Sequence, residues 1–181
     1  YSRVFKPFIP LSLLAAASLV EKAGHTVEII DQAVDRQWEE TLRDRLQTRN
    51  PILVGITSMT GAQLKGALRA AAITKEFGQG HGQRQGNGQG LDSSGNSPVP
   101  VVFGGVHASL FPEGTLMHRH VNYVVVGEGE TALLQLVDYL TTGSPAPADI
   151  PNLGWKDVTN SPTINPRGPF HNLDELPDTP Y

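Results

Sequence analysis

Three short stretches of this chain hold residues whose types and spacing could do chemistry. They are Ser58-Met59-Thr60-Gly61, Gly104-Gly105-Val106-His107-Ala108-Ser109 and Gly127-Glu128-Gly129-Glu130. Each comes directly after an apolar run, over residues 52–57, 101–103 and 123–126. Glycines let a ligand approach the backbone closely, and small hydroxyl residues and free amides answer its polar groups. Any one of these stretches is also explained as the tight turn between a strand and a helix; the three together point to a binding site. A site for phosphate alone is disfavoured, because no G-x-x-x-x-G-K-[ST] loop occurs and no G-x-G-x-x-G follows a strand. Gly127-Glu128-Gly129 is a G-x-G, but its glutamates would repel pyrophosphate. Glu128 and Glu130 have no base or nucleophile beside them, so they suit ligand contact through the backbone and capping of a helix.

The histidines divide by position. His107 sits within the second glycine stretch, where it orients a loop or donates to a carbonyl. His118 and His120 form an H-x-H with no third ligand near in sequence, so they read as a surface pair. His25 follows a helix end, and His81 and His171 lie in low-complexity and Pro-rich stretches. Cysteine is absent, which excludes disulfides, a thiolate zinc site, a cysteine nucleophile and an iron–sulfur cluster held by this chain itself. Fourteen basic against eighteen acidic residues give a net charge of −4, against a general nucleic-acid or anionic-membrane surface. No apolar run reaches the roughly 18 residues of a membrane helix, and the longest, over residues 11–20, has no basic leader of a signal peptide.

The elements that must position these stretches alternate. Residues 11–23 read as a helix with Pro10 at its start, Gly24 after its end and an alanine face (Ala15, Ala16, Ala17) able to lie close on a sheet. A strand over 26–30 ends at Asp31, a cap or strand-end residue. Residues 36–48 are amphipathic, with Trp38, Leu42 and Leu46 on one side. After the apolar run 52–57 come a helix over 62–77, a strand over 101–103 and a short helical stretch over 113–118. A strand over 123–126 and a helix over 131–140, stopping near Gly143, complete the pattern. Such alternation predicts an α/β fold with a doubly wound parallel sheet, whose ligand edge is the carboxyl end of its strands. Residues 78–98 are a low-complexity insertion of Gly, Gln, Ser and Asn. Eight of the fourteen prolines fall from Ser144 onward. The expected division is therefore a domain over 1–143 and a Pro-rich extension over 144–181, with a small strand over 153–158. A doubly wound sheet opens with a strand, so the first strand is expected upstream of Tyr1.

The order of these motifs resembles a known family. Pro10-Leu11-Ser12-Leu13-Leu14 through Ala23-Gly24-His25-Thr26-Val27-Glu28-Ile29-Ile30-Asp31 is similar to the opening of the cobalamin-binding domain that precedes the catalytic barrel in many radical S-adenosylmethionine enzymes. Val54-Gly55-Ile56-Thr57-Ser58-Met59-Thr60-Gly61, Val102-Phe103-Gly104-Gly105-Val106-His107-Ala108 and Val125-Val126-Gly127-Glu128-Gly129-Glu130-Thr131 resemble its next three signatures, in order. Leu173-Asp174-Glu175-Leu176-Pro177 resembles the linker into the barrel. The resemblance implies a Rossmann-like, flavodoxin-like sheet with cobalamin on its carboxyl edge. The nucleotide tail of the cofactor would enter a slot between the Ser58 loop and the Gly-Gly stretch. The implied cofactor-binding residues are Ser58, Met59, Thr60, Gly61, Gly104, Gly105, Val106, His107, Gly127, Glu128 and Gly129. Ser58-Met59-Thr60 stands where methyl carriers and mutases have S-x-L, and their D-x-H-x-x-G is missing, as in many radical-enzyme members. The family further implies S-adenosylmethionine and a 4Fe–4S cluster in a following barrel of the same polypeptide, methyl transfer or related radical chemistry there, and a cytoplasmic setting. This part of the chain would bind the cofactor and not itself catalyse. The other readings are a nucleotide- or flavin-binding domain of the same fold class and a cofactor-free interaction module.

Overall fold

The computed structural model describes residues 10–78 and 98–170; the opening residues, most of the low-complexity insertion and the linker-like Leu173–Pro177 stretch lie outside them. One sheet runs in the order β1 (Val54–Thr57), β2 (Val101–Gly104), β3 (Tyr123–Val125), β4 (Leu153–Lys156), β5 (Pro162–Ile164). β1, β2 and β3 are parallel, and β4 and β5 add antiparallel ladders beyond β3. Helices α1 (Leu11–Lys22), α2 (Trp38–Arg49), α3 (Ala62–Gly78), α4 (Gly105–Leu110), α5 (Pro112–Leu116) and α6 (Glu130–Thr142) surround it.

The near-continuous apolar β2 is covered on both faces, as a central parallel strand must be. Val101 and Phe103 turn to one side, with Ala67 and Ala71 of α3, Leu116 of α5 and Val124 of β3. Val102 turns to the other, with Val125, Leu153 and the α6 residues Ala132 and Leu136. The alanines of α3 let that helix come close to the strands. A third cluster joins Leu42 and Leu46 of α2 to Ala70 and Ile73 of α3, so the expected amphipathic stripe is the buried one.

Helix α1 ends as its sequence requires. Gly24 has φ +93°, its N–H donates to the Glu21 carbonyl and the His25 N–H to that of Val20, the paired bonds of a Schellman cap. Helix α1 packs chiefly on helix α6: a Cβ on Gly129, just before α6, would stand 3.9 Å from Ala16 Cβ.

Three sequence expectations change. Residues 26–30 form no strand among the described residues. A strand exists only with a ladder partner, and this stretch is held instead by Ile30 in the α2–α3 cluster and by Glu28, which pairs with Arg45 at 2.6 Å and Arg49 at 2.9 Å. The sheet is mixed, not wholly parallel, because the Pro-rich segment beyond 144 supplies two strands. Gly154 permits this: a Cβ there would stand 2.5 Å from Ile164 Cδ1 and 2.7 Å from Val124 Cγ2. The turn between β4 and β5 closes on Asp157, whose carboxylate accepts from the Thr159 hydroxyl and the Ser161 and Thr159 amides; these donors hold its pKa below the usual carboxylate value. Finally, the stretch after β2 is not a loop but helix α4, entered directly from the strand.

Candidate functional site

The carboxyl ends of β1, β2 and β3 lie on one edge, so the three glycine-bearing stretches meet there. After β1, the main chain leaves the sheet through Ser58 and turns at Gly61, whose φ of +115° is open to glycine at little cost. After β2, Gly104 stays extended and Gly105 swings to φ +81°. The two glycines answer different demands. A Cβ on Gly105 would collide with Thr57 Oγ1 and come within 3.3 Å of the Ser58 backbone, whereas one on Gly104 would meet nothing within 4 Å. Gly105 is therefore required by the fold, and Gly104 leaves a space open.

On the neighbouring strand end, where its N–H reaches the Gly104 carbonyl at 3.4 Å, Ser58 is 4% exposed, and its hydroxyl is buried with no hydrogen-bond partner among the described residues. A sealed hydroxyl without a partner costs roughly 1–3 kcal/mol, a cost that a ligand supplying a partner removes. Glu130, the first residue of α6, likewise keeps one carboxylate oxygen buried without a donor among the described residues.

The α4 helix ties the edge together. His107 donates its backbone N–H to the Ser58 carbonyl at 3.1 Å, and its Nδ1 lies 3.2 Å from Thr60 Oγ1. Ser109 donates its hydroxyl to the Gly105 carbonyl and accepts the Gly127 N–H, both at 2.9 Å. Gly127 has φ +83°, and the Glu128 carbonyl accepts from Asn152 Nδ2 at 3.2 Å. Met59, Val106, Leu110 and Phe111, on the segments that follow β1 and β2, are apolar and more than half exposed.

All eleven residues singled out in the sequence thus lie on one edge, with Ser58, Thr60, Gly104, Gly105 and His107 in immediate proximity. Thr57, Ser109 and Asn152, which shape that edge, were not among them. Asn152 is 24 residues from the carbonyl it holds, a pairing no local pattern announces, although Asn at φ +65° is a familiar turn residue. His118 and His120 lie elsewhere, with ring centroids 5.3 Å apart, and the described residues contain no group of three or more His, Cys, Asp or Glu able to hold a metal ion.

A parallel-strand edge with glycine-bearing turns and, among the described residues, a buried hydroxyl without a partner defines a cofactor-binding domain of the Rossmann-like class. The B12 binding domain family model matches residues 3–137: the chain belongs to the B12-binding domain family, and its cofactor is cobalamin. An uncharacterized methyltransferase of Pyrococcus horikoshii is 32% identical over 176 residues, covering 95% of this chain and 33% of that protein. The tryptophan 2-C-methyltransferase of Streptomyces laurentii is 26% identical over 174 residues, covering 92% and 27%. This chain therefore spans a third or less of these relatives. Among solved structures, the radical S-adenosylmethionine methyltransferase TsrM from Kitasatospora setae, with cobalamin and a 4Fe–4S cluster bound, superposes with a TM-score of 0.66 at 22% identity, over 97% of this chain and 29% of that one. The cobalamin-dependent S-adenosylmethionine radical enzyme OxsB, with aqua-cobalamin and S-adenosylmethionine bound, gives 0.74 at 18% identity, over 94% and 21%. They share its fold.

Proposed function

We propose that the slot between the Ser58 loop and Gly104-Gly105 takes the nucleotide tail of cobalamin, and that the domain serves a radical S-adenosylmethionine enzyme that transfers a methyl group. The observations that carry the first half are the buried Ser58 hydroxyl, without a partner among the described residues, and the open Cβ position of Gly104 on the neighbouring strand end. These residues fit the cofactor's tail: the hydroxyl offers a donor and acceptor to a polar heteroatom, and Gly104 leaves room for a flat ring. Met59, Thr60, Gly61, Val106 and His107 wall the slot mouth. Gly127, Glu128 and Gly129 bound the edge on the β3 side, where backbone groups and the acidic helix start meet the amide-rich periphery of the macrocycle. Bound cobalamin supplies a cobalt centre that takes up and passes on a methyl group. The domain's own work is to bind, orient and shield.

The second half is supported by the methyltransferase names of the relatives and by the fraction of their length that this chain spans. In that reading a barrel of the same polypeptide carries S-adenosylmethionine and the 4Fe–4S cluster, which fits the absence of cysteine here. The setting proposed is the cytoplasm, where reductant for such a cluster is available; no described helix is long and apolar enough to cross a membrane.

The test is a titration of the purified chain with hydroxocobalamin, followed by its visible spectrum. Saturable binding that Gly104→Val removes supports the slot. No saturable change overturns the reading, and retention of a flavin or dinucleotide in place of cobalamin moves the domain to the nucleotide-binding class.

A further inference from the structure

We infer that His107 is a positioning residue, which clamps the 58–61 loop from both sides so that the Ser58 hydroxyl is held facing the cofactor's tail. The inference rests on the cobalamin reading above and assigns His107 a role in it that involves no bond to the metal.

The geometry is a bracket. One bond of His107 runs from its backbone N–H to the carbonyl of Ser58 at 3.1 Å. The other joins its ring Nδ1 to the hydroxyl of Thr60 at 3.2 Å, across 47 positions of sequence. Whichever tautomer is present, the hydroxyl can donate or accept, so the contact survives either assignment. The ring is backed by Phe111, one helical turn on, at a centroid distance of 5.6 Å and an interplanar angle of 42°. Ser58 lies at one end of the bracketed segment and Thr60 at the other.

The other hydrogen bonds of residues 58–60 are long, while the Gly61 carbonyl is held locally by the Leu64 N–H at 3.1 Å. The Ser58 N–H reaches the Gly104 carbonyl at 3.4 Å, and the Met59 N–H reaches Gln63 Oε1 at 3.4 Å. Gly61, just beyond, is the residue type that confines the chain least. Among the hydrogen bonds of Ser58, Met59 and Thr60, the two from His107 are therefore the shortest. The Thr60 contact is exposed to water, so it adds little to global stability. Its effect lies in ordering the loop before the ligand arrives, which removes an entropic cost of binding.

The experiment compares the whole chain with H107A, H107N, H107Q, T60V and the H107A/T60V pair. Two readouts are needed: hydroxocobalamin affinity, and amide hydrogen exchange in the ligand-free protein. H107A and T60V are each expected to weaken binding about tenfold, and the double variant to be no worse than either, because one contact is lost in all three. H107N, whose carboxamide comes near the place of Nδ1, is expected to recover most of the affinity, and H107Q, which reaches past it, is not. Exchange at residues 58–61 should quicken in H107A while Tm stays unchanged. Unaltered exchange there, equal behaviour of H107N and H107Q, or additive loss in the double variant overturns the clamp. A fall in Tm of ligand-free H107A overturns it in favour of a purely structural role. If the wild-type chain takes up no cobalamin, the functional reading falls, while exchange at 58–61 still decides whether His107 holds the loop.

Discussion

At the starting ends of β2 and β3, polar groups are matched almost one to one. Asn122 Oδ1 accepts from Lys75 Nζ and from the Val101 N–H, and its own N–H reaches the Val101 carbonyl. Lys75 also reaches the Val99 carbonyl, and Lys156 donates to those of Val121 and His118. His118 and His120 accept there as neutral rings, from the His120 N–H and from Arg119 Nε. The finishing ends of β1, β2 and β3 are the reverse: among the described residues the Ser58 hydroxyl and a Glu130 oxygen are sealed without partners, and Gly104 leaves an open place. One end of the sheet satisfies itself, and the other is left for something to satisfy. Changes at the first should move stability without binding, and changes at the second should move binding with little loss of stability.

The sharpest test of that division is the adjacent glycine pair. Gly105→Val should break both properties, lowering stability by about 2–4 kcal/mol from the left-handed backbone and the collision with Thr57, as read by urea denaturation. Gly104→Val, one residue away, should weaken hydroxocobalamin binding by about a hundredfold or more, with a stability change within about 1 kcal/mol. If both variants behave alike, the distinction between a fold glycine and a ligand glycine is wrong.

At the opposite end, Asn122→Ala strands the Val101 amide and removes a charged bond. It should cost about 2–3 kcal/mol and leave cobalamin affinity where it was; a parallel fall in affinity would blur the contrast. Ser58→Ala tests the site from the other direction. Removing a buried hydroxyl that has no partner among the described residues should leave the ligand-free protein as stable or slightly more so, by at most about 1 kcal/mol, yet weaken cobalamin binding. A stability loss on thermal denaturation would mean that the hydroxyl already has a partner.

The smallest effect belongs to pH. Desolvation by burial, with Arg119 and Lys156 beside His118, holds the His118 pKa below its ordinary 6.5, and desolvation with Arg119 and His118 does the same for His120. The unfolded chain therefore takes up these protons first as pH falls. Their contribution is fully present above about 6.5 and drains away below it, so Tm should decline from pH 7.5 towards 5.5. The double replacement His118→Gln, His120→Gln should flatten that slope without changing cobalamin affinity.

Local chemistry makes the elements and the candidate edge legible in the sequence. The Gly24 cap, the Leu42–Leu46 stripe and the apolar runs before Ser58, Gly104 and Gly127 all follow from rules that act over a few residues. What escaped is what depends on distant partners. The run at 26–30 carries a strand pattern, but a pattern does not provide a neighbour to pair with. The direct entry from β2 into α4 hid behind two glycines that suggest a loop, and β5 is three residues whose pairing is decided by Gly154.

By itself, then, the sequence determined the α/β alternation, the common edge of three glycine-bearing stretches, and the motif order that places the chain in its family. Tertiary structure alone decided that Gly105 is a packing requirement and Gly104 an opening, that the buried Ser58 hydroxyl has no partner among the described residues, and that His107 meets Thr60. The reason is one of range. Propensity, capping and turn chemistry act along the chain, whereas burial and hydrogen-bond satisfaction are set by residues that only folding brings together.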